Sequence, residues 1–560
     1  MAHIKKLWLI QYFFLTVLFL LVNSALSFAE EFNVSNAEEL RNALLTSQSN
    51  GDIDFINIAP GVYDTGGVPF IYMAAFTENF GLNITGFGSA NTTLGASGQS
   101  AVLIIDTQGV FDDFNVNVNI KDLTIQDGDS APFSNVAGGL TILSDNGNIM
   151  VYGCNFEDNM GDTGGGARIE TLGQVSISNS VFDNNTSISS DGGGALLTGK
   201  FILLTDNVFN LNSTDSILSR GGGLSARAFA TNGGSPANGS MILNGNIFTN
   251  NDSTGHGGAS LTAKFGAELQ GNTFLDNTAG AAGAGGVFID VLNTNPGGDT
   301  MLNTLLTTLF SNLFQGNTSI GGSAGGAQII SGLDIILVNN IFLENFGTSA
   351  GGALLQAPDI TVTNNTFTLN EAISVSDGDG GGLMIFVEDE TTADIYNNIV
   401  FDNVASGVGA DIFVDDDPNI DQIGATVNLI SNDFSDFFSV CESTPLCFPN
   451  INAADNIDRD PRFVDAQAGD VNLRSGSPAR GAGDSDAPQL PSSDFAGNSV
   501  GDPPDMGALQ FVRGGGGGNS TCSLASDSQG QSGVINTLAL LLVPGVLLIL
   551  ISIRRRVKNS

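Results

Sequence analysis

Basic residues are scarce in this chain of 560 residues: 18 Lys and Arg stand against 58 Asp and Glu. Six of them, Lys5, Lys6, Arg554, Arg555, Arg556 and Lys558, lie at the ends, so residues 30–553 carry 12 basic groups against all 58 acids, a net charge of −46. Such a surface repels phosphate backbones, which excludes nucleic acid as a partner, and it repels polyanionic glycans at low salt. Beyond residue 29 the sole histidine is His256, so multi-histidine zinc sites are excluded and a histidine-based triad is disfavoured. Tryptophan is confined to Trp8, and Tyr63, Tyr72, Tyr152 and Tyr396 are the tyrosines left after the leader, too few flat faces for a dedicated glycan platform. Four cysteines rule out a disulfide-dense scaffold.

What the chain has instead is a repeat. Phe-x-x-Asn recurs at Phe156, Phe182, Phe209, Phe248, Phe274, Phe314, Phe342 and Phe367, with a Val-led copy from Val400 to Asn403. It alternates with Gly-Gly-[Ala/Leu/Val] at Gly165, Gly193, Gly222, Gly257, Gly285, Gly325, Gly351 and Gly381. The phenylalanines are 26, 27, 39, 26, 40, 28 and 25 residues apart, so the period is near 26 with two longer turns. Helical repeats need roughly 33 to 47 residues, and leucine-rich repeats need a Leu-x-x-Leu-x-Leu pattern that is absent. Short apolar runs between Gly, Asn, Ser and Thr point to strands and tight turns. The period therefore predicts an all-β fold, a right-handed parallel β-helix with three short strands and three bends per coil.

Alternation within each unit fixes the faces. Counting from the second glycine, Ala167 and Ile169, Ala195 and Leu197, Leu224 and Ala226, Ala259 and Leu261, Val287 and Ile289, Ala327 and Ile329, Ala353 and Leu355, and Leu383 and Ile385 should point inward. An Asn two residues before the Phe slot, at Asn207, Asn246, Asn272, Asn312, Asn340, Asn365 and Asn398, should stack into an amide ladder with a spacing of about 4.8 Å. Cys154 falls in a ladder slot, as a buried thiol.

The ends speak of export. Lys5 and Lys6, the apolar run Leu7 to Val22 and Ser27-Phe28-Ala29 form a signal peptide over 1–29. Val534 to Ile553 is an uncharged stretch of 20 residues, long enough for a transmembrane helix, and the basic tail 554–560 would stay cytoplasmic. Residues 513–533 read as a Gly/Ser-rich linker. The glycine run, Cys522, the span and the arginine cluster together resemble bacterial C-terminal protein-sorting signals, which makes Cys522 a candidate site of anchor modification; a plain single-span anchor is the alternative. The body is expected outside the cytoplasmic membrane.

Between the ends, 30–440 reads as the β-helix. It opens with Asn36 as N-cap of a helix running to about Leu45, expected to cap the exposed N-terminal coil. FNVSNAEELRNAL, DFINIAPGVYDT and VNIKDLTIQDGD resemble the opening of secreted bacterial β-helix proteins of the pectate-lyase-like superfamily. The Phe-x-x-Asn/Gly-Gly alternation resembles the passenger domains of chlamydial polymorphic membrane proteins, as a solenoid pattern only. Insertions at Phe229 to Ser240 and Asp290 to Thr300 follow the same strand, so they project from one side. Over 441–512, Asp460-Pro461-Arg462-Phe463-Val464-Asp465, Leu473 to Ala479 and Asp505 to Phe511 resemble the choice-of-anchor domain of bacterial surface β-helix proteins, with Arg480-Gly481 and Gln510 departing from its usual form. Cys441 and Cys447, six apart, are a candidate disulfide in an oxidising compartment.

The outward column after Gly-Gly carries the candidate chemistry. Arg168, Lys200, Arg227 and Lys264 all lie in its first four coils. A lyase needs a base and commonly calcium held by carboxylates; Arg227 as base with Arg168, Glu170 and Asp290 is the candidate set, although these coils are several steps of about 4.8 Å apart. Solvated charges on an open sheet are the competing reading. Gly255-His256-Gly257 matches a polygalacturonase tripeptide without that family's flanking motifs. Acidic loops supply candidate calcium ligands, Asp377, Asp379 and Asp415, and calcium is the one cofactor considered. Phe288, Leu354, Met384 and Phe386 form an outward apolar column, read as a docking surface or as ground beneath the C-terminal region. The expected function is non-enzymatic adhesion or structural contact at the cell surface, with an extracellular glycan or protein ligand; the alternative is a polysaccharide lyase or glycoside hydrolase working on the side groove.

Overall fold

The computed structural model describes residues 29–512 apart from position 77 and the segments 110–115, 131–133, 218, 230–238, 281–282, 293–305, 375–377, 388–390, 417–424 and 441–448. Cys441, Cys447, Cys522, Asp377, the leader and the 534–553 span therefore lie outside the described residues. Among the described residues no helix is long and apolar enough to cross a membrane.

The described residues form a parallel β-helix: sheets of 15, 13, 13 and 9 strands, each built from strands one coil apart and paired in parallel. One coil shows the plan: Ala167–Glu170, Gln174–Ser178, Val181–Asp183 and Thr186–Ser187, followed by Gly193-Gly194 and the next coil. There are thus four strands per coil where the period predicts three. The extra pair of residues follows the Asn of Phe-x-x-Asn, whose amide holds the chain flat long enough to pair with its neighbours.

Inside, the phenylalanines stack in register. From Phe156 to Phe367 the ring centroids are 4.5–4.9 Å apart with planes within 5°. All eight are fully buried, each contributing about 1.5–3 kcal/mol of apolar burial. The predicted inward residues, Ile169, Leu197, Leu261, Ile289, Ile329, Leu355 and Ile385 among them, are buried in the same core. Cys154 is a buried free thiol whose pKa burial pushes up to about 12.

Two amide ladders run along the core. The predicted one continues from Asn207 through Asn398 to Asn432 and Asn456. The second uses the Asn of Phe-x-x-Asn itself, from Asn159 to Asn403, and ends on the carboxylate of Asp411, a group that accepts without donating. The residue before each of these Asn takes a left-handed turn, easily at Asp158, Asn184 and Asn250 and at some strain at Leu211, Glu344 and Leu369. The Gly-Gly pair answers a different constraint: a Cβ on Gly193 would stand 2.3 Å from the carbonyl oxygens of Gly222 and Ser213, so the coils can close up here only without side chains.

At the N-terminal end, helix α1 (Ala37–Ser47) starts at Asn36, whose side chain accepts from Glu39 N at 3.0 Å while Glu39 accepts from Ser35 N at 2.8 Å. Leu40, Ala43 and Leu44 are buried in the solenoid core. Arg41 donates to the carbonyls of Thr65, Val68 and Pro69 and lies over Phe70.

The C-terminal segment folds back along the outside of the phenylalanine sheet. It begins with an antiparallel pair, Phe463–Asp465 and Asp470–Leu473, and buries Val471, Leu473, Ala479, Met506, Ala508 and Leu509 against Ile341, Leu343 and Ile399. Asn339, Asn364 and Asn397, at one corner of the coils, donate to carbonyls of Ser493, Asp505 and Asp484. The column Phe288, Leu354, Met384 and Phe386 is on a different sheet, so the C-terminal segment does not cover it.

Candidate functional site

Strand register turns the post-glycine column into two parallel rows. The first runs Arg168, Leu196, Ser225, Ser260, Phe288, Gln328, Leu354, Met384, Phe413; the second runs Glu170, Thr198, Arg227, Thr262, Asp290, Ile330, Gln356, Phe386, Asp415.

Little of the first row is open. Leu196, Ser225, Ser260, Leu354, Met384 and Phe413 are buried although they point away from the core. The turn that precedes each Gly-Gly lies on them: a Cβ on Gly380 would meet Met384 Cβ at 2.8 Å, and Ala324 and Ala350 share one apolar cluster with Leu354, Met384 and Phe413. Leu354 and Met384 of the apolar column are therefore closed by the chain's own turns, while Phe288 and Phe386 remain part-exposed.

The charged members are paired locally. Arg168 Nε donates to Glu170 Oε1 at 2.9 Å within its own strand, and Arg168 also donates to the Asn135 carbonyl. Arg227 reaches Asp191 at 3.1 Å, with 54% of its side chain exposed. In the row, Arg227 stands two strands from Glu170 and two from Asp290, roughly 10 Å from each. The four candidates share a face and do not converge on one point.

A closer grouping forms around His256. Its slot, one before Gly-Gly, holds Gly or Ala in the other copies: Gly164, Gly192, Gly221, Ala284, Ala324, Ala350 and Gly380. The imidazole is buried, stacked on Phe288 at 4.1 Å, and its Nδ1 accepts from Ala284 N at 3.3 Å. Room for it comes from Gly283, at φ +113°, where a Cβ would lie 1.8 Å from Nδ1. Burial, and then the Arg220 charge, lower the imidazole pKa to about 3, so the ring is neutral. The same Arg220 opposes the burial that raises the Asp290 carboxyl pKa. Arg220 thus bears electrostatically on both His256 and Asp290, a coupling that the outward-column rule missed; a bulky residue in a Gly/Ala slot was its one trace in the sequence.

The described calcium candidates are separate. Asp379 accepts from Val408 N at 2.7 Å and braces the next turn, while Asp415 is buried in the second row. Among the described residues no three His, Cys, Asp or Glu side chains gather in a metal-binding group.

No protein-family model matches the chain, and no curated protein sequence does. Among solved structures it is similar to the A-module of the Azotobacter vinelandii mannuronan C-5 epimerase AlgE6, at TM-score 0.39 and 11% identity over 77% of this chain and 97% of that one. It is also similar to the PL6 family polysaccharide lyase Pedsa3628 from Pseudopedobacter saltans, at TM-score 0.27 and 12% identity over 80% and 97%. The PL6 family alginate lyase AlyGC follows, at TM-score 0.28 and 13% identity over 83% of this chain and 60% of that one. At this level of similarity none of the three lends an activity to this chain, and the parallel β-helix assignment stands on strand register.

Proposed function

We propose that this chain is a non-catalytic β-helix displayed outside the cytoplasmic membrane, acting by adhesion or structural contact along its side on an extracellular glycan or protein. Its coils wind right-handed, as parallel crossovers nearly always do; helix α1 caps the first coil, and the 534–553 span with Cys522 supplies the anchor. The observation that carries this reading is the state of the outward rows: most of the first is roofed by turns, and the charged candidates Arg168, Glu170 and Arg227 are held in local ion pairs rather than converging on one point. A groove that turns over a polymer needs open, convergent groups. The full-length chain incubated with a panel of uronate polymers, with and without Ca²⁺, should release no unsaturated product; accumulation of such a product would overturn the reading.

The alternative, a polysaccharide lyase or glycoside hydrolase, is favoured by Asp290, a half-buried outward carboxyl whose pKa burial raises and the Arg220 charge lowers. On that reading Asp290→Asn and Arg220→Ala each abolish product release. Arg227→Ala discriminates less, since the Arg227 side chain is half exposed and already paired with Asp191.

A further inference from the structure

We propose that the C-terminal segment 456–511 is a latch on the last coils, seated when the Asp433 carboxyl is protonated and loosened when it ionises. Asp433 occupies the outward slot that Ile341, Thr366 and Ile399 fill in the preceding coils, so a carboxyl stands where the segment elsewhere meets an apolar surface. It is fully buried. Its Oδ1 accepts from Arg459 N at 3.1 Å, and Oδ2 has no hydrogen-bond partner. The segment enters at this point: Ile457 N donates to Asn432 O at 2.8 Å and Phe434 N donates to Ile457 O at 3.1 Å.

An ionised oxygen without a donor in a dry interface is costly, and a proton removes the cost. The charged groups that bear on Asp433 make ionisation harder still: Asp458 and Asp460 come from the segment, and Asp411 comes from the turn ahead of Ile412–Asp416. Arg459 faces it through its backbone N–H. Burial first, then these acids, raise the Asp433 pKa from 3.8 to about 7.

The sign follows from proton linkage. The seated form binds a proton that the released form gives up between its ordinary pKa and about 7. Seating is therefore fully favoured below pH 3.8, and release rises about tenfold per pH unit up to pH 7 and then levels off.

Amide hydrogen exchange on the full-length chain, corrected for intrinsic rates, tests this at Gly507 and Ala508, whose N–H groups bond across to Asn397 O and Thr366 Oγ1 of the coils. Their protection should fall about fiftyfold from pH 5 to pH 7 and then level off. Asp433→Asn should flatten that profile while amides in the coil of Phe209 stay unchanged. Asp433→Leu, matched to the apolar slot, should keep the segment protected at pH 8 and serves if the Asn variant folds poorly. A flat wild-type profile, or a variant with the wild-type slope, overturns the proposal.

Discussion

Asn212 donates its side-chain amide to Asn251 Oδ1 at 3.0 Å, although the two are 39 residues apart in the chain. The same bond joins Asn185 to Asn212 at 2.9 Å across 27 residues. The height of the rung therefore stays constant whatever the length of the repeat.

That geometry makes the middle of a ladder expensive to break. Asn212→Ala leaves Asn185 N and Nδ2 without their acceptor and Phe182 O without its donor, all in the dry core. At about 1–3 kcal/mol for each stranded group, the loss should be on the order of 3–9 kcal/mol in denaturant unfolding. Asn456→Ala, at the part-buried end of the other ladder, should cost much less because water replaces the missing amide.

Glycine substitutions should separate space from conformation. Gly193→Ala puts a methyl 2.3 Å from two backbone oxygens that cannot swing away, and the soluble yield should collapse. Gly271→Ala meets nothing within 4 Å and bears only its left-handed φ of +63°, about 1–2 kcal/mol. Thermal unfolding of the two proteins side by side checks the ranking.

His256 should stay neutral through the ordinary pH range, its ring signals in NMR unmoved between pH 8 and pH 4.5. Its folded pKa, about 3, is below the unfolded 6.5, so the folded state binds fewer protons and stability falls as pH drops from 6.5 towards 3. The upper limit of that loss is about 4 kcal/mol. His256→Gln should remove this part of the acid sensitivity, measured as a shallower fall of the unfolding midpoint with pH.

The repeat made most of the solenoid legible, because Phe182, Phe209 and Phe274 mark a core position that stacking reproduces once per coil. The Asn36 helix start was equally readable, since a cap is a local event. What stayed hidden depends on contacts between distant stretches. The turns that roof Leu354 and Met384 make an outward residue buried, which alternation alone reads as exposed. The contact of Ala508 N with Thr366 Oγ1 spans 142 residues and has no periodic trace. Arg220, His256 and Asp290 come from successive coils at different offsets, so no spacing rule brings them together.

The central claim, one rung per repeat whatever its length, is open to a single distance measurement. Thr198 and Gln356 lie five rungs apart in the second row, with both long turns between them. Spin labels at Thr198→Cys and Gln356→Cys, with Cys441, Cys447 and Cys522 changed to Ser, should give one narrow distance near 24 Å by pulsed electron resonance, five steps of about 4.8 Å. A broad distribution, or a distance lengthened by the extra residues of the long repeats, would contradict the account.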